Sequence, residues 1–174
     1  MRHGVLVTNG SIVELPVDVI VNSAHTSLLH GSGICGTIHR SAGSGLERYC
    51  RQLGGCSVGD AVLTPGFCLP AQNVIHAVSP KLRFGEQLAS HHEVLWEAML
   101  SRITELVAVS GASTVAIPPI GIGGHRIPLD YALPSIARLA LEISENLRIK
   151  VFLVSRDVQH RRAWNLALKK LGQE

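Results

Sequence analysis

Two glycine-bearing turns carry the residues most able to do chemistry in this chain. The first, His30-Gly31-Ser32-Gly33-Ile34-Cys35-Gly36, follows the apolar run Val19-Ile20-Val21 and Asn22. The second, Gly121-Ile122-Gly123-Gly124-His125-Arg126, comes after Thr114-Val115-Ala116-Ile117. The first feeds a segment that reads as helical from about Ile34. A helix start has unpaired N–H groups and a partial positive charge, and glycines let the backbone close on a phosphate. Taken alone, such a turn reads equally as a tight strand-to-helix connection with no ligand. Two of them beyond the carboxyl ends of buried strands could clasp a diphosphate. Neither fits G-x-x-x-x-G-K-[ST], which argues against an ATPase. The first lacks the acidic residue about 20 positions later that a dinucleotide fingerprint uses on the ribose.

The elements that must hold these turns follow from periodicity. Gly4 to Thr8 alternates like a strand and stops at Asn9-Gly10. Val17 to Val21 is a continuous apolar run that suits a central strand buried on both faces. Ile34 to Ala42 and Leu46 to Leu53 read as helices, the second ended by Gly54-Gly55. Strands are expected at Ala61 to Thr64, Asn73 to Val78, Thr114 to Ile117 and Lys150 to Val154. Helices are expected at Leu88 to Val109, Leu129 to Glu145 and Asp157 to Leu171, with Asp157 as N-cap. This alternation predicts a single α/β domain over residues 1–174 with a mixed sheet.

Composition narrows the function classes. The 174 residues are 46% hydrophobic and 17% charged, which excludes disorder. No apolar run approaches the roughly 20 residues of a membrane span, and the first residues do not resemble a signal peptide, so the expected location is cytoplasmic. Cys35, Cys50, Cys56 and Cys68 form no C-x-x-C pair, so no zinc or redox motif and no metal are indicated. His91 and His92 are adjacent and expected to point in different directions at an exposed helix start. The net charge of +3 suits an anionic ligand, as it does an ordinary solvated surface. Aromatic residues are only 4%, too few for the stacking platforms of single-stranded nucleic-acid binders. Arg161, Arg162, Lys169 and Lys170 read first as a solvated basic face.

The stretches Val17 to Ala24, Gly31 to Gly43 (GSGICGTIHRSAG), Gly55 to Pro80 and Thr114 to Gly124 resemble the macro domain family. The resemblance is closest to its MacroD-like branch of O-acetyl-ADP-ribose deacetylases and mono-ADP-ribosyl hydrolases. It implies a three-layer α/β/α fold with a six-stranded mixed sheet and a cleft for ADP-ribose. The first loop would take the distal phosphate and ribose, and the second the diphosphate. It implies no cofactor.

Several positions depart from the family pattern. The family usually reads Gly-Asp-Ile after the first strand, its Asp accepting from the adenine amino group; here the residues are Gly10-Ser11-Ile12. A hydrogen bond to a charged group is worth about 1.5 to 3 kcal/mol, so adenine recognition should be weaker or differently made. The second Asn of the family's Asn-Ala-Ala-Asn is His25, and the loop Asp that helps activate water is Cys35. His25 and Cys35 could form a replacement imidazole–thiolate pair, since a Cys at a helix N-terminus can have a lowered pKa. Alternatively, Cys35 is a packed residue and His25 a loop residue. In the second loop His125 stands where the family has an aromatic against the distal ribose, and Arg126 replaces a glycine. Arg126 could pair with phosphate or stay in solvent, and Arg156 could stack on the base or lie at the surface.

The expected ligand is ADP-ribose or an ADP-ribosylated protein. Gly31, Gly33, Gly36, Gly121 and Gly123 would cradle phosphate with Ser32, Ile34, Ile122 and Gly124 beside them. Asn22 would brace the first loop, and Ile12 and Ser11 would lie near the base. A reader without turnover, a hydrolase with altered chemistry, and a nucleic-acid binder using the last helix remain distinct readings.

Overall fold

The computed structural model describes residues 4–172. Five of its six strands run parallel: β1 (Gly4–Thr8), β2 (Val19–Ser23), β4 (Asn73–Ala77), β5 (Thr114–Ile117) and β6 (Lys150–Val154). The sixth, β3 (Ala61–Pro65), is an antiparallel edge strand on β4, and the sheet order is β1-β6-β5-β2-β4-β3. The helices are α1 (Gly33–Ala42), α2 (Ser44–Leu53), α3 (Ser90–Ser110), α4 (Leu129–Leu147) and α5 (Val158–Leu171). This is the expected α/β sandwich with a six-stranded mixed sheet.

Period-2 alternation sorts the strand residues into two cores. Val19, Val21, Ile75, Val115, Ile117, Val151 and Leu153 face α3, α4 and Trp164 of α5. Ile20, Val74, Ala116 and Val154 face α1 and α2 through Ile38, Ala42, Leu46 and Cys50. Val19, Ile20 and Val21 are each fully buried, which explains why β2 lacks the polar alternation of a half-exposed strand. No helix among the described residues is long and apolar enough to cross a membrane.

The strands and helices fall within a few residues of their expected bounds, with two informative differences. β2 starts at Val19, two residues later than the apolar run, and continues through Asn22 and Ser23. Its ladder with β4 pairs Asn22 with His76 and Ser23 with Ala77, so backbone pairing carries two polar residues into the strand. A short 3-10 turn, Ile12–Glu14, follows Ser11; three residues are too few for a helical period to show. Asp157 does cap α5, accepting from the Gln159 amide at 2.7 Å.

Asp18 fixes where β2 enters the sheet. One of its oxygens accepts from the Ser113 amide (2.8 Å), the Thr114 amide (2.8 Å) and the Thr114 hydroxyl (2.9 Å). The other accepts from Gln72 at 3.1 Å. Desolvation alone would raise its pKa, but the Ser113 and Thr114 hydrogen bonds outweigh it, and the net direction is below the ordinary 3.8. Its stabilisation is therefore full above the unfolded-state value and is lost as pH falls through the lower folded one. Asp18→Asn should destabilise the fold by about 1 to 3 kcal/mol at neutral pH. The gap from wild type in denaturant midpoint should close only as the pH falls below 3.8.

Candidate functional site

The carboxyl ends of β2, β5 and β6 open into one cleft of about 630 Å³. Both glycine turns line it, and so do most of the candidate residues. Gly31, Ser32, Gly33, Ile34 and Cys35 form one wall, and Gly121, Ile122, Gly123, Gly124 and His125 the facing one. His25 lines the cleft as well, and so do Ser11, Ile12 and Arg156 with Val154, Ser155, Asp157 and His160. The gap between the loops is open, not filled by side chains.

Local chemistry sets each loop. Ser32 is the N-cap of α1 but its side chain makes no capping bond. Among the described residues the amides of Gly33, Ile34 and Cys35 find no acceptor, and neither do those of Ile122, Gly123, Gly124 and His125. Free amides at a helix start beside a second glycine loop form an anion cradle. Gly121 has φ +76 and donates its amide to the Ser23 hydroxyl at 3.1 Å, which pins the second loop to the end of β2. The first loop is tied to α2, because Glu47 accepts from the His30 amide at 3.1 Å. Its turn contains Leu28 at φ 60, an unfavourable angle held by complete burial of the side chain.

Three candidates do not line the cleft. Asn22 is buried behind the first loop, its Nδ2 lying 3.6 Å from Cys35 Sγ and 3.1 Å from His76 Nδ1. Gly36 sits inside α1, where a Cβ would collide with the Gly31 carbonyl oxygen; it permits the loop's close return and does not itself face a ligand. Arg126 turns outward, with its guanidinium 5.9 Å from the Phe84 ring centroid and φ 60 at a position where glycine would be unstrained. It is exposed there, which agrees with the solvent alternative.

The imidazole–thiolate pairing of His25 and Cys35 is not formed. Cys35 Sγ contacts Asn22 and donates to the Leu29 carbonyl at 3.7 Å. His25 Nδ1 accepts from the Ser27 amide at 3.2 Å and lies 3.2 Å from the Ser27 hydroxyl. Burial pushes the Cys35 thiol up, against the helix-terminus effect expected from sequence. Cys35 is thus a protonated, packed residue.

His76 is a structural histidine, between Asn22 and the Thr64 hydroxyl at 3.0 Å, with burial holding its pKa down to about 3. Among the described residues, ligand-type atoms come within 4.8 Å of one another in two groups, His39–Cys50–His76 and Glu86–His91–His92, and neither lines the cleft. His91 and His92 do not diverge as expected, since their ring centroids are 3.8 Å apart. His92 Nδ1 accepts the Ala89 amide at the start of α3, which turns its ring back along the helix.

The sequence reading missed several contributors. Lys81 and His160 line the cleft, beside His30 of the first turn. Ser79 stands behind it, with its hydroxyl 2.6 Å from His125 Nδ1. Lys81 and Ser79 arrive on the turn after β4, which carries no local signal. The four imidazoles, Lys81 and Arg156 face only one lining carboxylate, Asp157, a charge balance that favours an anion.

Comparison with known proteins agrees with this geometry. The family model described as "Macro domain" matches residues 21–136. An O-acetyl-ADP-ribose deacetylase of Escherichia fergusonii is 34% identical over 180 residues, covering all of both chains. A macro domain-containing protein of Mesorhizobium japonicum is 46% identical over 123 residues, 71% of this chain and 68% of the relative. The Oceanobacillus iheyensis macrodomain with ADP superposes with a TM-score of 0.89 at 27% identity, over 99% of this chain and 96% of that one. The Trypanosoma brucei macrodomain in complex with ADP-ribose superposes with a TM-score of 0.81 at 25% identity, over 94% and 68%. Order of elements, paired glycine loops and sequence identity converge, and the chain belongs to the macro domain family.

Proposed function

We propose that the cleft binds ADP-ribose or a close derivative, its pyrophosphate lying between the two glycine loops. The observation that carries this is the pair of facing loops, Gly31–Cys35 and Gly121–His125, with unpaired amides on a shared cleft of about 630 Å³. Relatives solved with ADP and ADP-ribose support the ligand class. The base would lie toward Ser11, Ile12 and Arg156, and the distal ribose toward His25 and His125. A protein-linked ADP-ribose is the finer form of the same reading, because the cleft opens to solvent beside the exposed residues Ser32, Gly33, Gly123 and Gly124.

Of the four basic residues of α5 behind the nucleic-acid reading, one is engaged within the fold. Arg161 donates to Asn9 and to the Ser155 and Arg156 carbonyls at 2.8 to 3.1 Å. That guanidinium ties α5 to the sheet and is not free to meet phosphate.

Titration calorimetry should show ADP-ribose binding more tightly than AMP, which lacks the second phosphate and the distal ribose. Gly123 has open space around its Cβ position, so Gly123→Val would fold normally and project into the cleft. Its affinity for ADP-ribose should fall at least about tenfold, or 1.4 kcal/mol. Gly36→Ala should weaken binding through displacement of the first loop. Cys35→Ala should leave affinity nearly unchanged, since the thiol faces Asn22 and Leu29. Equal affinity of wild type and Gly123→Val would place the ligand elsewhere.

A further inference from the structure

We propose, resting on the ADP-ribose reading above, that Lys81, Arg83, Phe84 and Arg126 form a docking surface beside the cleft. Its partner is an acidic stretch of polypeptide flanking an ADP-ribosylated side chain.

Two segments held side by side build the surface. The chain after β4 runs past the second glycine loop, where the Leu82 amide donates to the His125 carbonyl at 2.9 Å. The buried Leu82 side chain anchors that crossing. Arg126 in turn donates its amide to the Gly123 carbonyl at 3.0 Å, and Gly123 is exposed where the cleft meets solvent. Lys81 lines the cleft itself. The patch therefore begins at the cleft wall and leads away from it.

Phe84 is its apolar member. At 92% exposure it is the most exposed large hydrophobic side chain among the described residues, and a loose loop is not the cause. Residues 83–86 form a closed turn, in which the Glu86 amide donates to the Arg83 carbonyl at 3.1 Å and the Glu86 carboxylate accepts from the Arg83 amide at 2.7 Å. A braced turn thus displays the ring in solvent. The Arg126 guanidinium lies over that ring, 5.9 Å from its centroid, on a backbone at φ 60, in the left-handed region that favours glycine. Aromatic and arginine side chains are enriched at protein interfaces. Together Phe84 and Arg126 offer a partner apolar area and a planar fork of donors.

Charge selects the partner. Lys81, Arg83 and Arg126 are exposed, and none of them belongs to an ion pair among the described residues. The carboxylate of the turn, Glu86, is taken up by the Arg83 amide and lies 3.6 Å from His92 Nε2. Unpaired arginines accept carboxylates in bidentate geometry. A nucleic-acid strand suits the patch less well, because a single ring with a guanidinium already over it is no platform for successive bases. With the distal ribose toward His25 and His125, the side chain attached to it would emerge beside Lys81 and Arg126, and the residues flanking that side chain would cross the patch.

The test uses synthetic peptides that carry ADP-ribose on one side chain through a hydrolysis-resistant linkage, with acidic, neutral or basic flanks. Free ADP-ribose and a short oligonucleotide bearing a terminal ADP-ribose are measured beside them. Calorimetry is run on wild type, Phe84→Ala and Arg126→Glu at low and high salt, and free ADP-ribose also reports that each variant is folded. Wild type should bind the acidic peptide at least about fivefold more tightly than the neutral one, with the advantage shrinking at high salt. Both variants should lose that advantage yet bind free ADP-ribose within about twofold of wild type. A wild type that ignores the flanks, one that prefers the basic peptide or the oligonucleotide, or an acidic preference that survives either variant would each overturn the assignment. A wild type that binds no free ADP-ribose would instead overturn the cleft reading beneath it.

Discussion

The structure depends on the confinement of β2 between β4 and β5. Its three apolar residues are sealed on both faces, and parallel ladders hold it on either side. A strand fixed that way has one outcome at its carboxyl end: Asn22 and Ser23 must leave the core at a defined place. Asn22 then meets Cys35 at the start of α1, and Ser23 meets the Gly121 amide. Two polar side chains at the end of one apolar strand thereby set the separation of both loops.

Glu47 plays the complementary part from outside the sheet. It accepts the His30 amide and lies 3.1 Å from His39 Nδ1 and 3.5 Å from Arg51. The first loop is therefore held at its base by β2 and at its shoulder by α2, while its amides stay open toward the cleft. Leaving donors unpaired costs free energy that the fold recovers through the apolar packing of α1 and α2 on Ile20 and Val74. Preorganisation of this kind lets a ligand bind without having to order the loop first.

Much of this was legible in the residue order. Continuous apolar runs marked the buried strands, and glycine clusters after them marked the loops, because both signals are local. What escaped depends on contacts between distant segments. Whether Cys35 would be an activated or a buried thiol turns on the opposing weights of helix terminus and desolvation, and only packing against Asn22 and Leu29 decides it. Arg126 by its neighbours in sequence could pair with phosphate or stay in solvent, and the turn after Gly124 places it toward Phe84. Ser79 and Lys81 reach the site from the end of β4, far from either glycine cluster.

The distribution of sulfur has a consequence for how the protein meets electrophiles and oxidants. Burial raises the Cys35 thiol and, with neighbouring acids, takes those of Cys50 and Cys56 up to about 11. Cys68 alone is exposed, on the turn between β3 and β4. A covalent fragment or a mild peroxide would mark that outer turn first. The cysteine in the wall of the ligand cleft is the less reactive one in this sense, because burial favours its protonated thiol.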